Sequence, residues 1–221
     1  DDDAEARSAD VYQEAVSAKD VTEKVAAVPA PPPVKPKPPE VVLPDFTPAA
    51  LLAESDLVDR QLVWGRYAEG QGSRERITVA LNTASAAGEV AVGNAGYQLY
   101  RREDGSKLIR SGLGQVAFDL HSAQAFLNTA TGTSAMRVDG GNLDINFDSR
   151  QFSTVLRLDH SITGRIDFSS SGRISSAGYF NNRNGQTMTG AVSIDGSEAA
   201  YTFVQQIKEG SIQGQTLWGN Q

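Results

Sequence analysis

From Gly96 to the end, apolar and polar residues exchange places at nearly every step, and this alternation constrains the fold more than any other feature. Val116, Phe118 and Leu120 alternate with polar neighbours, as do Leu143, Ile145 and Phe147. The same holds for Phe152, Leu156 and Leu158, for Ile162, Gly164, Ile166 and Phe168, and for Met188, Gly190, Val192 and Ile194. Tyr201, Phe203 and Ile207 are in phase, followed by Ile212, Gly214, Thr216 and Trp218. A strand turns successive side chains to opposite faces, so period two means a half-buried strand. Turn residues interrupt the alternation at Asp104-Gly105, Gly140-Gly141, Asp148-Ser149-Arg150, Asp159-His160-Ser161, Asn184-Gly185, Asp195-Gly196 and Glu209-Gly210. Asn-Gly is the strongest of these hairpin signals. The expected fold is all-β: an antiparallel meander closed into a barrel of about eight strands. Closure removes exposed edges, and eight strands leave an interior that side chains can fill. The in-phase glycines Gly164, Gly190 and Gly214 would relieve crowding in so narrow a barrel. An open sandwich is the alternative.

Upstream the pattern changes. Residues 1–27 carry a thin apolar stripe (Val11, Ala15, Val21, Val25), too sparse for more than a weak helix in an acidic arm. Residues 28–45 hold eight of the nine prolines. Proline lacks an amide donor, so this stretch reads as an extended linker of about 55 Å at polyproline II spacing. Residues 46–61 form a short helical lead-in with Thr47 as cap and Pro48 at the first helical position. The β-domain is placed at 62–221, with a short strand around 75–81. Stretches 82–95, 128–134 and 180–186 are its longest candidate binding loops.

Charge and composition exclude several chemistries. The net charge of −7 disfavours nucleic acid, whose phosphates need a basic face. The chain contains no cysteine, which removes disulfides, thiolate nucleophiles and Cys-based metal sites. No apolar run reaches the length of a transmembrane helix. The start at Asp1-Asp2-Asp3, without Met, is expected of a processed product. Asp159-His160-Ser161 has the residue types of a hydrolytic triad, but neighbours on one turn cannot align nucleophile, base and orienter. Two isolated histidines, His121 and His160, lack metal-ligand spacing. Asp139-Gly-Gly-Asn-Leu-Asp144 resembles a calcium repeat, yet occurs once, while such repeats work by stacking. No catalytic, metal or cofactor site is expected, and the chain is expected not to be an enzyme.

Trp64 and Trp218, each followed by Gly, lie at the two ends of the β-domain. Either they pack as a structural seam, or they form an exposed aromatic patch with Tyr67, Tyr97, Tyr100, Tyr179, Phe180 and Arg183 that grips a partner.

Several segments resemble the C-terminal barrel of bacterial envelope proteins that carry a FecR-type domain, and the small β-barrels of the transferrin-binding protein B class of surface lipoproteins. The matching segments are Asp144–Phe147, Ser161–Gly164, Asp195–Tyr201, Gly214–Gly219 and Val63–Arg66, within residues 62–219. No FecR-type domain is present here, and no iron or transferrin contact can be carried over. The resemblance implies a periplasmic or outer-membrane-associated location and a non-catalytic barrel with a protein partner in the envelope. Two other roles remain open: a receptor for an iron carrier or haem, or a part of a secretion or adhesion apparatus docking through its N-terminal arm.

Overall fold

The alternating segments pair edge to edge in the computed structural model, which describes residues 54–67, 77–182 and 186–220. All of these belong to one compact unit, Leu43–Gln221. The arm at 1–27, the proline segment at 28–45 and the first part of the helical lead-in lie outside the described residues. In chain order the elements are α1 (Glu54–Val58), β1 (Leu62–Arg66), β2 (Thr78–Ala80), α2 (Leu81–Ser85), β3 (Glu89–Gly93) and β4 (Tyr97–Arg101). There follow β5 (Gln115–Thr129), β6 (Gly132–Asn146), β7 (Gln151–His160), β8 (Gly164–Arg173), β9 (Tyr179–Asn182), β10 (Gln186–Val192), β11 (Glu198–Ile207) and β12 (Gly210–Asn220).

Two sheets result. The larger has eight antiparallel strands in the order β8-β7-β6-β5-β12-β11-β10-β9. Its inward residues form one core that includes Phe118, Leu143, Phe168, Phe180, Tyr201, Phe203 and Trp218. Three aromatic rings lie over glycines on the neighbouring strand, in the register pairs Phe152↔Gly172, Phe180↔Gly190 and Phe203↔Gly214. A fourth, Trp218, fills the space left by Gly141, whose missing Cβ would meet the indole at 3.1 Å. In a tightly curled sheet facing side chains crowd one another, and a glycine under each ring makes room for it.

The small sheet has the order β2-β1-β4-β3, with β1 and β2 parallel. One of its faces buries Leu62, Trp64 and Leu99 in a second cluster, together with Ala191, Ala200 and Leu217 from the outer wall of β10–β12. The other face carries α2, where Gly65 lets the strand approach Ala84, at 2.8 Å from a would-be Cβ. A buried arginine ties the sheets together. Arg101 donates to the carbonyls of Ala177 (2.6 Å) and Val192 (3.3 Å) and to the Tyr179 hydroxyl (3.0 Å).

Several expectations need correction. The barrel does not close: β8 and β9 stand at opposite ends of the ladder, and the sheet is a curled half-barrel. Between them run one isolated bridge, Ile174↔Phe180, and bonds from the Asn182 amide to Ser170 Oγ (3.1 Å) and the Ser171 carbonyl (3.0 Å). β9 has four residues against ten in β8, too few to complete the ladder. The β-domain is not one antiparallel meander, since the parallel pair β1–β2 belongs to a separate sheet. Gly140-Gly141 is not a turn but the bulged middle of β6, and Gly164 is a turn glycine (φ 66°) with nothing near it. Stretch 82–95 contains most of α2 and all of β3, and 128–134 is the end of β5 and the start of β6 joined by a tight turn at Ala130 and Thr131.

Candidate binding face

The outer wall of the half-barrel has two characters. On β10–β12 its outward positions include Ala191, Ala200 and Leu217, and the small sheet covers them. On β5–β8 most outward positions are amides, hydroxyls and charges, with Ala117 and Val155 among the exceptions. Register places Gln115, Asn146, Gln151 and Arg173 in one row across four strands, with Ala117, Asp144, Ser153 and Ser171 in the next. A cavity of about 580 Å³ opens on these rows, lined by Gln115, Asp144, Asn146, Gln151, Ser153 and Arg173 among others.

Local structure holds several of these groups. The Asn146 side chain accepts the Ser149 amide at 2.8 Å and shapes the β6–β7 turn. That turn puts Arg150 at φ 54°, a left-handed conformation uncommon outside glycine. The Asn142 amide donates to Asp144 at 3.2 Å. Arg150 and Arg173 are exposed, and neither makes an ion pair among the described residues. A second cavity of about 330 Å³ lies beside the first, between Leu108–Gly112, Phe147–Arg150 and Ile174–Ser176. Around the first cavity the face offers neutral donors and acceptors together with the Asp144 carboxylate and the Arg173 guanidinium, which makes no ion pair among the described residues.

The aromatic candidates do not assemble into a patch. Trp64 and Trp218 are fully buried, and Tyr100 and Phe180 nearly so. The two indoles lie on opposite sides of β12 and converge on one residue: Trp64 donates to the Thr216 carbonyl (3.1 Å) and Trp218 to the Thr216 hydroxyl (2.7 Å). Phe180 packs against Phe152 with ring centroids 4.9 Å apart. Tyr97 and Tyr179 are half-buried, the latter beneath the Arg101 guanidinium at 4.8 Å. Tyr67 alone among them is exposed, at 51%. Arg183 lies outside the described residues.

The Asp195–Tyr201 segment is a structural junction. Glu198 accepts the amides of Gln61 (3.0 Å) and Leu62 (3.1 Å), so its carboxylate anchors the start of β1. Arg60 stands 3.6 Å from the same carboxylate and donates to the Trp218 carbonyl at 2.9 Å. Burial pushes the Glu198 carboxyl up, against the pull of Arg60 and the two amides. Partial burial also works to raise Asp195. Bonds from the Ser197 amide, the Gln61 side chain and the hydroxyls of Ser193 and Ser197 outweigh it, and hold that carboxyl down at about 2.

His160 pairs with Ser134, at 2.9 Å from Nε2. The Ile162 amide donates to Nδ1 at 3.1 Å, so in the neutral ring the proton sits on Nε2 and points at Ser134. His160 thus gives a hydrogen bond to this serine instead of taking its proton, while Asp159 is bound by Arg137 at 2.7 Å. The group holds the β7–β8 hairpin. Among the described residues no cluster of three or more His, Asp or Glu is placed to hold a metal.

Comparison with protein-family models and with curated proteins returned no match.

Proposed function

We propose that this chain is a non-catalytic binding module of the bacterial cell envelope, carried on a proline-rich tether, and that it engages a hydrophilic protein partner through the outer face of β5–β8. One observation carries the reading. The protein's own small sheet covers Ala191, Ala200 and Leu217 on the outer wall of β10–β12, while the rows Gln115–Asn146–Gln151–Arg173 and Asp144–Ser153–Ser171 on β5–β8 are polar, mostly exposed and indented by the 580 Å³ cavity. A rigid sheet fixes those amides and hydroxyls relative to one another, and such pre-organisation lowers the ordering cost of binding. The envelope address is supported by the resemblance of Asp195–Tyr201 and Gly214–Gly219 to surface-lipoprotein barrels.

The absence of cysteine supplies the test, because one introduced thiol gives a unique handle. Ser153→Cys in the full chain, expressed in its own bacterium, is treated with a membrane-impermeant maleimide carrying a photocrosslinker. Labelling of cells with an intact inner membrane is expected, followed by a discrete crosslinked adduct that Arg173→Glu weakens. Labelling only after lysis would remove the envelope address. An identical adduct from Thr83→Cys, on α2, would remove the β5–β8 face.

A further inference from the structure

We propose that the open edge of β8 pairs with the same edge of a second copy of this chain, antiparallel about Ile166, joining two half-barrels into one continuous sheet. The first support is the direction of the backbone. In an antiparallel ladder both polar groups of a residue point to the same side, and the side alternates along the strand. The Ile174 amide donates to the Arg150 carbonyl of the preceding turn, at 3.1 Å, so even-numbered residues face β7. The Ser171 carbonyl accepts the Asn182 side chain, on the side away from β7, so odd-numbered residues face outward along the edge. Arg165, Asp167 and Ser169 therefore present their amides and carbonyls to a side where no strand pairs with them among the described residues.

The second support is charge. Runs of like charge on an edge keep strands apart. Along Arg165–Ser169 the two exposed charges are opposite and two positions apart. Pairing about Ile166 sets Arg165 against Asp167 of the partner copy, twice, with both residues in hydrogen-bonding positions. Arg165 makes no ion pair among the described residues, and Asp167, 48% exposed, has only Arg157 at 3.7 Å. Ile162 is 58% exposed at the turn into β8, and in this register it falls opposite Ser170 of the partner copy. The net charge of −7 on each chain opposes association. At physiological salt the Debye length is about 8 Å, so distant repulsion is screened while contacting pairs are not.

Sedimentation equilibrium of the full chain, from micromolar to submillimolar concentration, tests this. A concentration-dependent dimer is expected. Arg165→Asp places carboxylates against carboxylates, and Asp167→Arg places guanidiniums against guanidiniums, so each variant alone weakens the dimer at least tenfold. An equimolar mixture of the two restores opposite charges at both positions and is expected to dimerise as heterodimer. Ser169→Pro removes an amide that faces the partner copy and not β7, and gives an independent block if either charge variant folds poorly. A wild type that stays monomeric throughout overturns the proposal. So does a dimer indifferent to the variants, or a mixture no tighter than its components.

Discussion

Gly190→Ala isolates the role of glycine beneath an aromatic ring. A Cβ at this position would stand 2.5 Å from Phe180 Cζ, 2.6 Å from Cε2 and 2.5 Å from the Ala200 carbonyl oxygen. The oxygen is backbone in the β10–β11 ladder, and the ring is held against Phe152, so neither yields freely. Overfilling a packed core costs about 1–3 kcal/mol. Alanine restricts the unfolded chain and returns about 0.4–1 kcal/mol where the native backbone suits it. The clash outweighs the gain, and the net loss is about 1–2 kcal/mol. For a domain of this size that lowers the melting temperature by about 2–8 °C. Gly219→Ala is the matched control, since a Cβ there meets nothing within 4 Å, and its melting temperature should equal or exceed that of wild type. Thermal and urea denaturation followed by circular dichroism measure both. If the cost comes from the ring, Phe180→Leu combined with Gly190→Ala should show a coupling of at least about 0.5 kcal/mol. A Gly190→Ala protein as stable as the Gly219→Ala control would refute the argument.

Three further outcomes are expected. Glu198→Ala removes the acceptor of two strand amides and the partner of Arg60, and should cost about 2–3 kcal/mol in urea unfolding; a loss below about 0.5 kcal/mol would mean the junction contributes little. Asp195 is held at about 2 in the folded protein against 3.8 for the free group, so its contribution is fully present above pH 4 and is lost as pH falls toward 2. Asp195→Asn should flatten the acid limb of the stability curve in that window, and an unchanged limb counts against the bonding described for this carboxylate. Arg101→Met strands the Ala177 and Val192 carbonyls, and hydrogen exchange should quicken at 175–182 well before it changes in β5–β7; uniform quickening would contradict a local clasp.

Alternation made the large sheet legible, because residues such as Leu143, Ile145, Leu156 and Leu158 could satisfy only one face of one strand. It could not reveal where the ladder ends. Closure depends on the length of β9, and Tyr179–Asn182 carries no residue that announces a four-residue strand. The second sheet was legible only in part: alternation at 75–81 marked one of its strands, but strands of three to five residues show too few alternations to tell which neighbours they pair with. Gly140-Gly141 misled because a double glycine has the composition of a turn. Its conformation is that of a bulged strand making room for Trp218, an indole more than 75 residues away in sequence. The tryptophans drew attention as rare large residues, yet burial of both shows that rarity signals packing here. The polar outer face had a fainter signature. β5–β8 keep polar residues at nearly every outward step, while Ala191, Ala200 and Leu217 break that rule on β10–β12.

That contrast determines which surface can act. A strand apolar on both faces must be covered twice, and β11 is buried at all of Ala199–Phe203 because the core lies on one side and the small sheet on the other. Covering that wall commits the small sheet, and Arg101 extends the commitment by gripping the β8–β9 connection at Ala177. The same connection is bound by the Ile109 amide at Ser176 and by the Val192 amide at Gly178. Held on these three sides, the connection delivers β9 to β10 and leaves most of the outer edge of β8 without a strand partner among the described residues. The open edge thus follows from the same contacts that cover β10–β12, which draw the return strand toward that side.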